Sequence, residues 1–186
     1  YKAVVVPALY AAPDELLIRL NQYVENGGTL IASFKTAFTN ENVKVSHQVQ
    51  PHILKNCLGV HYDQFTFPKN VGLTGEIISK KNSLSEAKVF MELLTADGAE
   101  VLASYEHYNW KDYAAITRNH YGKGQAVYIG CMTDEDTLKA VYKAVLPEAG
   151  VEIPEYHYPI IVRKGTNDLG KTIRYFLNYS AVELEM

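Results

Sequence analysis

Few residues in this chain have types and spacing that point to chemistry, and each has a plain alternative. Ser33 stands near the end of the run Thr29-Leu30-Ile31-Ala32-Ser33-Phe34. In many α/β enzymes the nucleophile sits where a strand turns sharply into a helix, with Gly on both sides. Here there is neither Gly-x-Ser-x-Gly nor Gly-x-Cys-x-Gly. Ser33 therefore reads as a strand-end serine. Cys57 and Cys131 lack the elbow context too, and with no CxxC they signal neither zinc nor a redox pair. They read as two buried free thiols, with a disulfide between them open but not implied. Gly122-Lys123-Gly124 suggests a phosphate loop, but a Walker loop needs Gly, four residues, then Gly-Lys-Ser/Thr leading into a helix. Here Gly follows Lys and a strand follows Gly, so the segment reads as a hairpin turn.

Metal chemistry fares no better. His47, His52, His61, His107, His120 and His157 form no HxH, HxxH or HExxH pattern, so no metal and no cofactor is expected. Glycoside hydrolysis needs two carboxylates at strand ends. No spacing among the 21 acids picks out such a pair. The group Tyr105, His107, Tyr108, Trp110 and Tyr113 offers either a sugar-binding surface or an interface and core role. The residues alone describe a mixed α/β domain without a catalytic constellation of its own, which suggests an accessory module.

The elements around these residues follow from composition and period. The 186 residues carry 18 Lys+Arg against 21 Asp+Glu, a formal charge of −3, with 47% hydrophobic residues. That is ordinary for a globular chain able to bury a real core. No Lys/Arg run exceeds two, which argues against nucleic acid. No apolar stretch approaches 18 residues, so no transmembrane helix is expected. The chain opens without Met in the apolar run Ala3 to Val6, and is expected to be a piece of a longer protein. The compartment stays open.

Ala3 to Val6 reads as a buried strand closed by Pro7. Pro13-Asp14-Glu15 starts a helix whose Leu16, Leu17, Leu20, Tyr23 and Val24 share an arc of roughly 120° at 100° per residue. Ile18 falls off that stripe, towards a contact on the other face. Gly27-Gly28 stops the helix and Thr29 to Phe34 forms a second strand. Strand, helix, Gly-Gly, strand is a βαβ unit with a parallel sheet. Residues 35–50 read as a long polar loop, followed by a short helix over Pro51 to Leu58 ended by Gly59. Val60 to Phe67 alternates as a strand. Lys88 to Leu94 and Glu100 to Tyr105 read as a hairpin around Asp97-Gly98. Ala114 to Asn119 and Gln125 to Gly130 form another around Gly122-Lys123-Gly124. Asp134 caps a second amphipathic helix carrying Leu138, Val141, Tyr142, Val145, Leu146 and Ala149. Beyond Pro154 and Pro159, Ile160 to Val162 and Thr172 to Leu177 form a last strand pair.

Several segments in this order resemble one family. Lys2-Ala3-Val4-Val5-Val6-Pro7-Ala8-Leu9-Tyr10, then a helix running into Tyr23-Val24-Glu25-Asn26-Gly27-Gly28-Thr29-Leu30, is similar to the middle domain of glycoside hydrolase family 42 β-galactosidases. Thr36-Ala37-Phe38-Thr39-Asn40-Glu41-Asn42 resembles that family's small residues leading into an acidic stretch. Leu54 to Val60, the hairpin from Asn119 to Gly130, and Phe176-Leu177-Asn178-Tyr179-Ser180 resemble further segments of it. Lys35 stands where the family pattern has Arg.

The resemblance implies a flavodoxin-like, class I glutamine amidotransferase-like three-layer α/β fold. It implies a mainly parallel sheet, added β-hairpins and a lost nucleophile. It implies a trimerisation domain over 1–151, then 152–186 as the start of a C-terminal β domain cut short at Met186. The catalytic glutamates of the family lie in a preceding (β/α)₈ barrel, so no catalytic residue carries over. The implied partners are two further copies in a homotrimer, with galactoside held mainly by the barrel. In open α/β sheets the working loops lie at the carboxyl ends of strands. The 35–50 loop, with Lys35, Asn40, Glu41 and Asn42, is therefore expected to dock against a barrel or a partner. Two other readings remain: a stand-alone amidotransferase-like or ThuA-like sugar-utilisation protein, and a carbohydrate- or protein-interaction module.

Overall fold

The computed structural model describes residues 1–78, 85–154 and 156–183. They fall into two compact units, Tyr1–Val151 and Glu152–Met186. The expectation of a break at Met186 lies outside the described residues.

In the first unit β1 (Ala3–Val6), α1 (Asp14–Glu25) and β2 (Thr29–Ser33) form the βαβ unit. A 3-10 turn over His52–Leu54 runs into α2 (Lys55–Leu58), which ends on Gly59 in the left-handed region. Then come β3 (Val60–His61), β4 (Phe65–Thr66), β5 (Val71–Thr74), β6 (Glu86–Glu92) and β7 (Thr95–Ala96). They are followed by β8 (Glu100–Glu106), β9 (Ala114–Tyr121), β10 (Gly124–Ile129), β11 (Cys131–Met132) and α3 (Glu135–Val145). Asp134 caps α3, its Oδ1 accepting from the Thr137 N–H at 2.8 Å. Pro13 sits just outside α1 in an extended conformation with no side-chain cap, leaving Asp14 and Glu15 to complement the helix dipole.

The main sheet runs β1-β2-β10-β9-β8-β5-β6-β11, with β4 also paired to β6. Period-two alternation on its central strands makes two faces. Leu30, Ala32, Ala126 and Tyr128 face one core with Leu17 and Val24 of α1 and Cys57 and Leu58 of α2. Ile31, Val127 and Ile129 face the other, with Val141 and Val145 of α3. Strands covered on both faces read as near-continuous apolar runs, as Thr29 to Ser33 does.

The α/β class with added hairpins holds, but the parallel part is narrower than expected. It is confined to β1, β2 and β10; every pairing beyond β10 is antiparallel, so the sheet is mixed. Between β9 and β10 the two-residue turn allows no other arrangement, because it cannot return a strand parallel to itself.

Two local expectations are corrected. The hairpin around Asp97-Gly98 does not form, because β5 lies between β6 and β8 and pairs with both. Phe90 to Leu94 are all buried, and Val89 kinks the strand with a φ of 58°, so the segment is an interior strand. The strand expected over Val60 to Phe67 is two: β3 pairs β7, and β4 pairs β6.

The second unit contains β12 (Ile160–Thr166) and β13 (Thr172–Asn178), an antiparallel pair in register from Ile160↔Asn178 to Thr166↔Thr172.

Candidate functional site

A strained turn follows β2. Lys35 has a φ of 58° and Ala37 a φ of 62°, both left-handed. Non-Gly residues pay for that conformation and keep it where surrounding contacts over-determine it. For Lys35 one such contact is a carboxylate: its N–H donates to Glu92 Oε1 at 2.7 Å. Glu92 comes from β6, is fully buried, and its Oε2 accepts from the Tyr128 hydroxyl of β10 at 2.9 Å. The Tyr105 hydroxyl donates to the Glu92 carbonyl at 2.7 Å. The Tyr62 hydroxyl is buried beside Glu92 and Tyr128 without a hydrogen bond of good geometry.

Burial dominates the electrostatics here. It pushes the Glu92 carboxyl up to about 7, against the opposing pull of the Lys35 N–H, the Tyr128 hydroxyl, the nearby Tyr62 hydroxyl and the Lys35 charge. Burial likewise raises Tyr128 and Tyr62 far above ordinary tyrosine, so both stay neutral. Sequence reasoning missed Glu92. Its signal was an acid inside the apolar run Phe90-Met91-Glu92-Leu93-Leu94, a position acids occupy only when hydrogen-bonded.

The Lys35 side chain lies among aromatic rings. Its Nζ is 4.4 Å from the Phe90 ring centroid, 5.7 Å from Tyr10 and 5.8 Å from Phe65. The rings form a row, Tyr10–Phe38–Phe65–Phe90–Phe34, with neighbouring centroids 5.2–5.8 Å apart.

The rest of the expected loop site is arranged differently. Asn40 is turned inward, its Oδ1 accepting from the Asn42 and Lys44 N–H groups, both at 3.0 Å. Glu41 and Asn42 are exposed, with Asn42 Nδ2 3.5 Å from Glu41. The loop is anchored rather than loose: Ala37 N–H bonds Leu9 O at 2.9 Å, and Thr36, Ala37 and Thr39 are buried.

The other candidates have structural work. Ser33 Oγ accepts from the Ala8 N–H at 2.8 Å, tying the ends of β1 and β2 together. Cys57 and Cys131 are free and buried, and burial pushes each thiol up to about 12, which leaves them inert. The Gly122-Lys123-Gly124 turn caps α1, with the Lys123 N–H donating to Glu25 O at 2.9 Å. The aromatic group divides. Tyr105 is core, Trp110 and Tyr113 pack on it, and Tyr108 projects into solvent.

One further chain of side chains has the order of a hydrolase relay. Ser46 Oγ is 3.3 Å from His52 Nδ1, and His52 Nε2 is 3.1 Å from Asp14 Oδ1. Ser46 Oγ also accepts from the Gln48 N–H at 3.1 Å, closing a local turn, and Asp14 is largely solvent-exposed. The arrangement straps the loop to the start of α1. Among the described residues, no group of three His, Cys, Asp or Glu side chains is placed to hold a metal.

Comparison with known proteins adds the missing context. The profile of the family described as "Beta-galactosidase trimerisation domain" matches residues 1–152. The chain is 29% identical over 193 residues to "Beta-galactosidase Pbg" of Clostridium perfringens, covering 98% of this chain and 28% of that protein. It is 32% identical over 145 residues to "Beta-galactosidase BgaB" of a Geobacillus species, covering 78% of this chain and 21% of that one. Among solved structures, the β-galactosidase of Bacillus circulans sp. alkalophilus matches the fold with a TM-score of 0.83 at 24% identity. That match covers 97% of this chain and 27% of that one. The chain thus spans between a fifth and three tenths of the length of these relatives.

Proposed function

Because the chain belongs to the family of β-galactosidase trimerisation domains, we propose that it is the non-catalytic assembly domain of a glycoside hydrolase. The whole protein would hydrolyse terminal β-galactosides as a homotrimer, with the sugar held mainly by a catalytic barrel outside this chain. The observation that carries this reading is the match over residues 1–152. The end of β2 supports it: Ser33, at the position where an amidotransferase-like enzyme would place its nucleophile, instead accepts from the Ala8 N–H.

The finer fold, flavodoxin-like and class I amidotransferase-like, belongs to the same proposal. Its support is the parallel set β1, β2 and β10 with α1 and α2 on one face and α3 on the other. So does the division into a trimerisation domain, 1–151, and the start of a C-terminal β domain, 152–186, supported by the sparse hairpin character of the second segment. The 35–50 loop, with Lys35, Asn40, Glu41 and Asn42, is proposed to dock on a barrel and shape the rim of its sugar site.

The test is made on the intact protein. Light scattering is expected to give a trimer, and this chain alone is expected to leave a chromogenic β-galactoside unhydrolysed. A strict monomer at micromolar concentration, or turnover by the chain alone that a point mutation abolishes, would defeat the reading. Replacing Asn40, Glu41 and Asn42 by Ala is expected to raise KM; unchanged KM, turnover and assembly would remove the docking role of the loop.

A further inference from the structure

Glu92 ends β6 fully buried. A carboxylate taken out of water needs a paired cation or a full set of donors to keep its charge. Two donors reach this one, the Lys35 N–H at 2.7 Å and the Tyr128 hydroxyl at 2.9 Å. The titratable groups that face it are Lys35 after β2, Tyr62 after β3, Tyr105 of β8, Tyr128 of β10 and Cys131 of β11. Burial raises the three tyrosines and the thiol, so all four stay neutral. The Lys35 ammonium lies 4.4 Å from the Phe90 ring centroid instead. Among the described residues no cation is at ion-pair distance from Glu92. The Tyr62 hydroxyl, which could be a third donor, makes no hydrogen bond of good geometry. The surroundings suit the neutral acid and leave an ionised one short of partners.

The walls around Glu92 differ in how easily they yield. Tyr128 lies on β10, paired to β2 and β9, and Tyr105 lies on β8, paired to β5 and β9. Wetting the carboxylate from those sides means breaking the sheet. The Lys35 side is a turn outside any strand, with Lys35 and Ala37 in the left-handed region at φ 58° and 62°. Non-Gly residues hold that conformation at a cost. The turn also begins the 35–50 loop, whose residues 41–45 are exposed. Lifting it relieves strained backbone and admits water to the carboxylate, a local opening of the kind that needs less free energy than global unfolding.

We propose that Glu92 is a pH-operated latch on this turn: carrying its proton it keeps residues 34–37 closed over the sheet, and on losing it, it favours an open turn that frees the start of the 35–50 loop. The sign follows from proton counting. The closed form holds the proton up to about pH 7, whereas an open, hydrated carboxyl has the ordinary value of 4.5. Opening therefore grows as pH rises between those values and levels off above them. The ceiling on the change is roughly 300-fold, ten raised to the difference between the two values. The latch needs neither the trimer nor the docking role of the loop.

The experiment is hydrogen exchange of the intact protein from pH 5 to pH 8, corrected for the intrinsic pH dependence of amide exchange. Mass spectrometry reads peptides covering 34–37 and, as a reference in the central sheet, 125–129. The turn is expected to open at least roughly tenfold more often than the reference at every pH, because its opening is local. Its opening is expected to rise at least roughly tenfold between pH 5 and pH 7 and then level off. Glu92→Gln, which keeps an acceptor for the Lys35 N–H but cannot ionise, is expected to flatten that rise. Equal protection of the two segments overturns the latch, since the turn then opens only with the whole unit. A wild-type opening that does not change with pH overturns it, and so does a rise that persists in Glu92→Gln. If thermal unfolding shows that Glu92→Gln does not fold, the wild-type profile and its levelling near pH 7 decide alone.

Discussion

Glu92 is a carboxylate removed from water and held by two donors, the Lys35 N–H and the Tyr128 hydroxyl. Burial favours its neutral form, so the folded chain holds the proton up to about pH 7 while the ordinary glutamate value is 4.5. The sign follows from proton counting. Below 4.5 the carboxyl is protonated in both states and its full contribution is present. Between 4.5 and 7 the folded chain binds more protons than the unfolded one, so stability falls as pH rises. The loss amounts to at most about 3 kcal/mol across that window. Glu92→Gln keeps the shape and can still accept from the Lys35 N–H. It is expected to match wild type near pH 5 and to exceed it near pH 8, read as melting temperature against pH. Parallel curves for the two proteins would show that Glu92 does not titrate in this window.

At the scale of elements, the turn Gly122-Lys123-Gly124 shows why two glycines flank a lysine here. A Cβ on Gly124 would lie 2.3 Å from the carbonyl oxygens of both Val24 and Gly28, and one on Gly122 would lie 2.4 Å from Glu25 O. The β9–β10 turn is therefore pressed against the last turn of α1, and the Lys123 N–H satisfies a carbonyl there. Gly124→Ala is expected to cost more than about 3 kcal/mol in urea unfolding, because backbone atoms cannot move aside cheaply. Gly98 makes the contrast. Its φ is 96° and nothing lies within 4 Å of its Cβ position, so Gly98→Ala carries only a conformational cost of about 1 kcal/mol. Equal losses at the two sites would show that steric contact with α1 is not what selects glycine at 124.

Elements whose partners are near in sequence were legible. The βαβ unit, the β9–β10 hairpin, the Asp134 cap and the Gly59 stop all rest on signals within a dozen or so residues. The β6–β8 hairpin misled because β5, the strand just before β6, takes the position between them, and no pattern within the two strands reports a third one inserted there. The same reason divides the candidate site. Lys35 stood out at the end of β2, but its aromatic surroundings did not, because Tyr10, Phe65 and Phe90 are separated by tens of residues. Glu92 could have been noticed as an acid in an apolar run; its partner, a backbone N–H on a strained turn, could not.

At the scale of the molecule, the question is which residues hold which unit together. Every fully buried apolar side chain among the described residues lies between Ala12 and Val145, within the first unit. The second unit has a seven-rung antiparallel pair whose Tyr175, Phe176 and Leu177 are 40–55% exposed, so its apolar surface is only partly covered. A lone two-stranded hairpin is marginal in water, because it orders its backbone without a hydrophobic face to bury. The first unit should therefore fold without the second, and the second should not fold without further strands. A chain ending at Val151 is expected to unfold cooperatively, with a melting temperature within a few degrees of the longer chain, since it keeps both faces of the sheet covered. A peptide spanning 152–183 is expected to lack the dispersed amide resonances of paired strands. Loss of cooperative unfolding on truncation at Val151 would mean that the first core depends on contacts from the second unit, and would remove the proposed domain boundary.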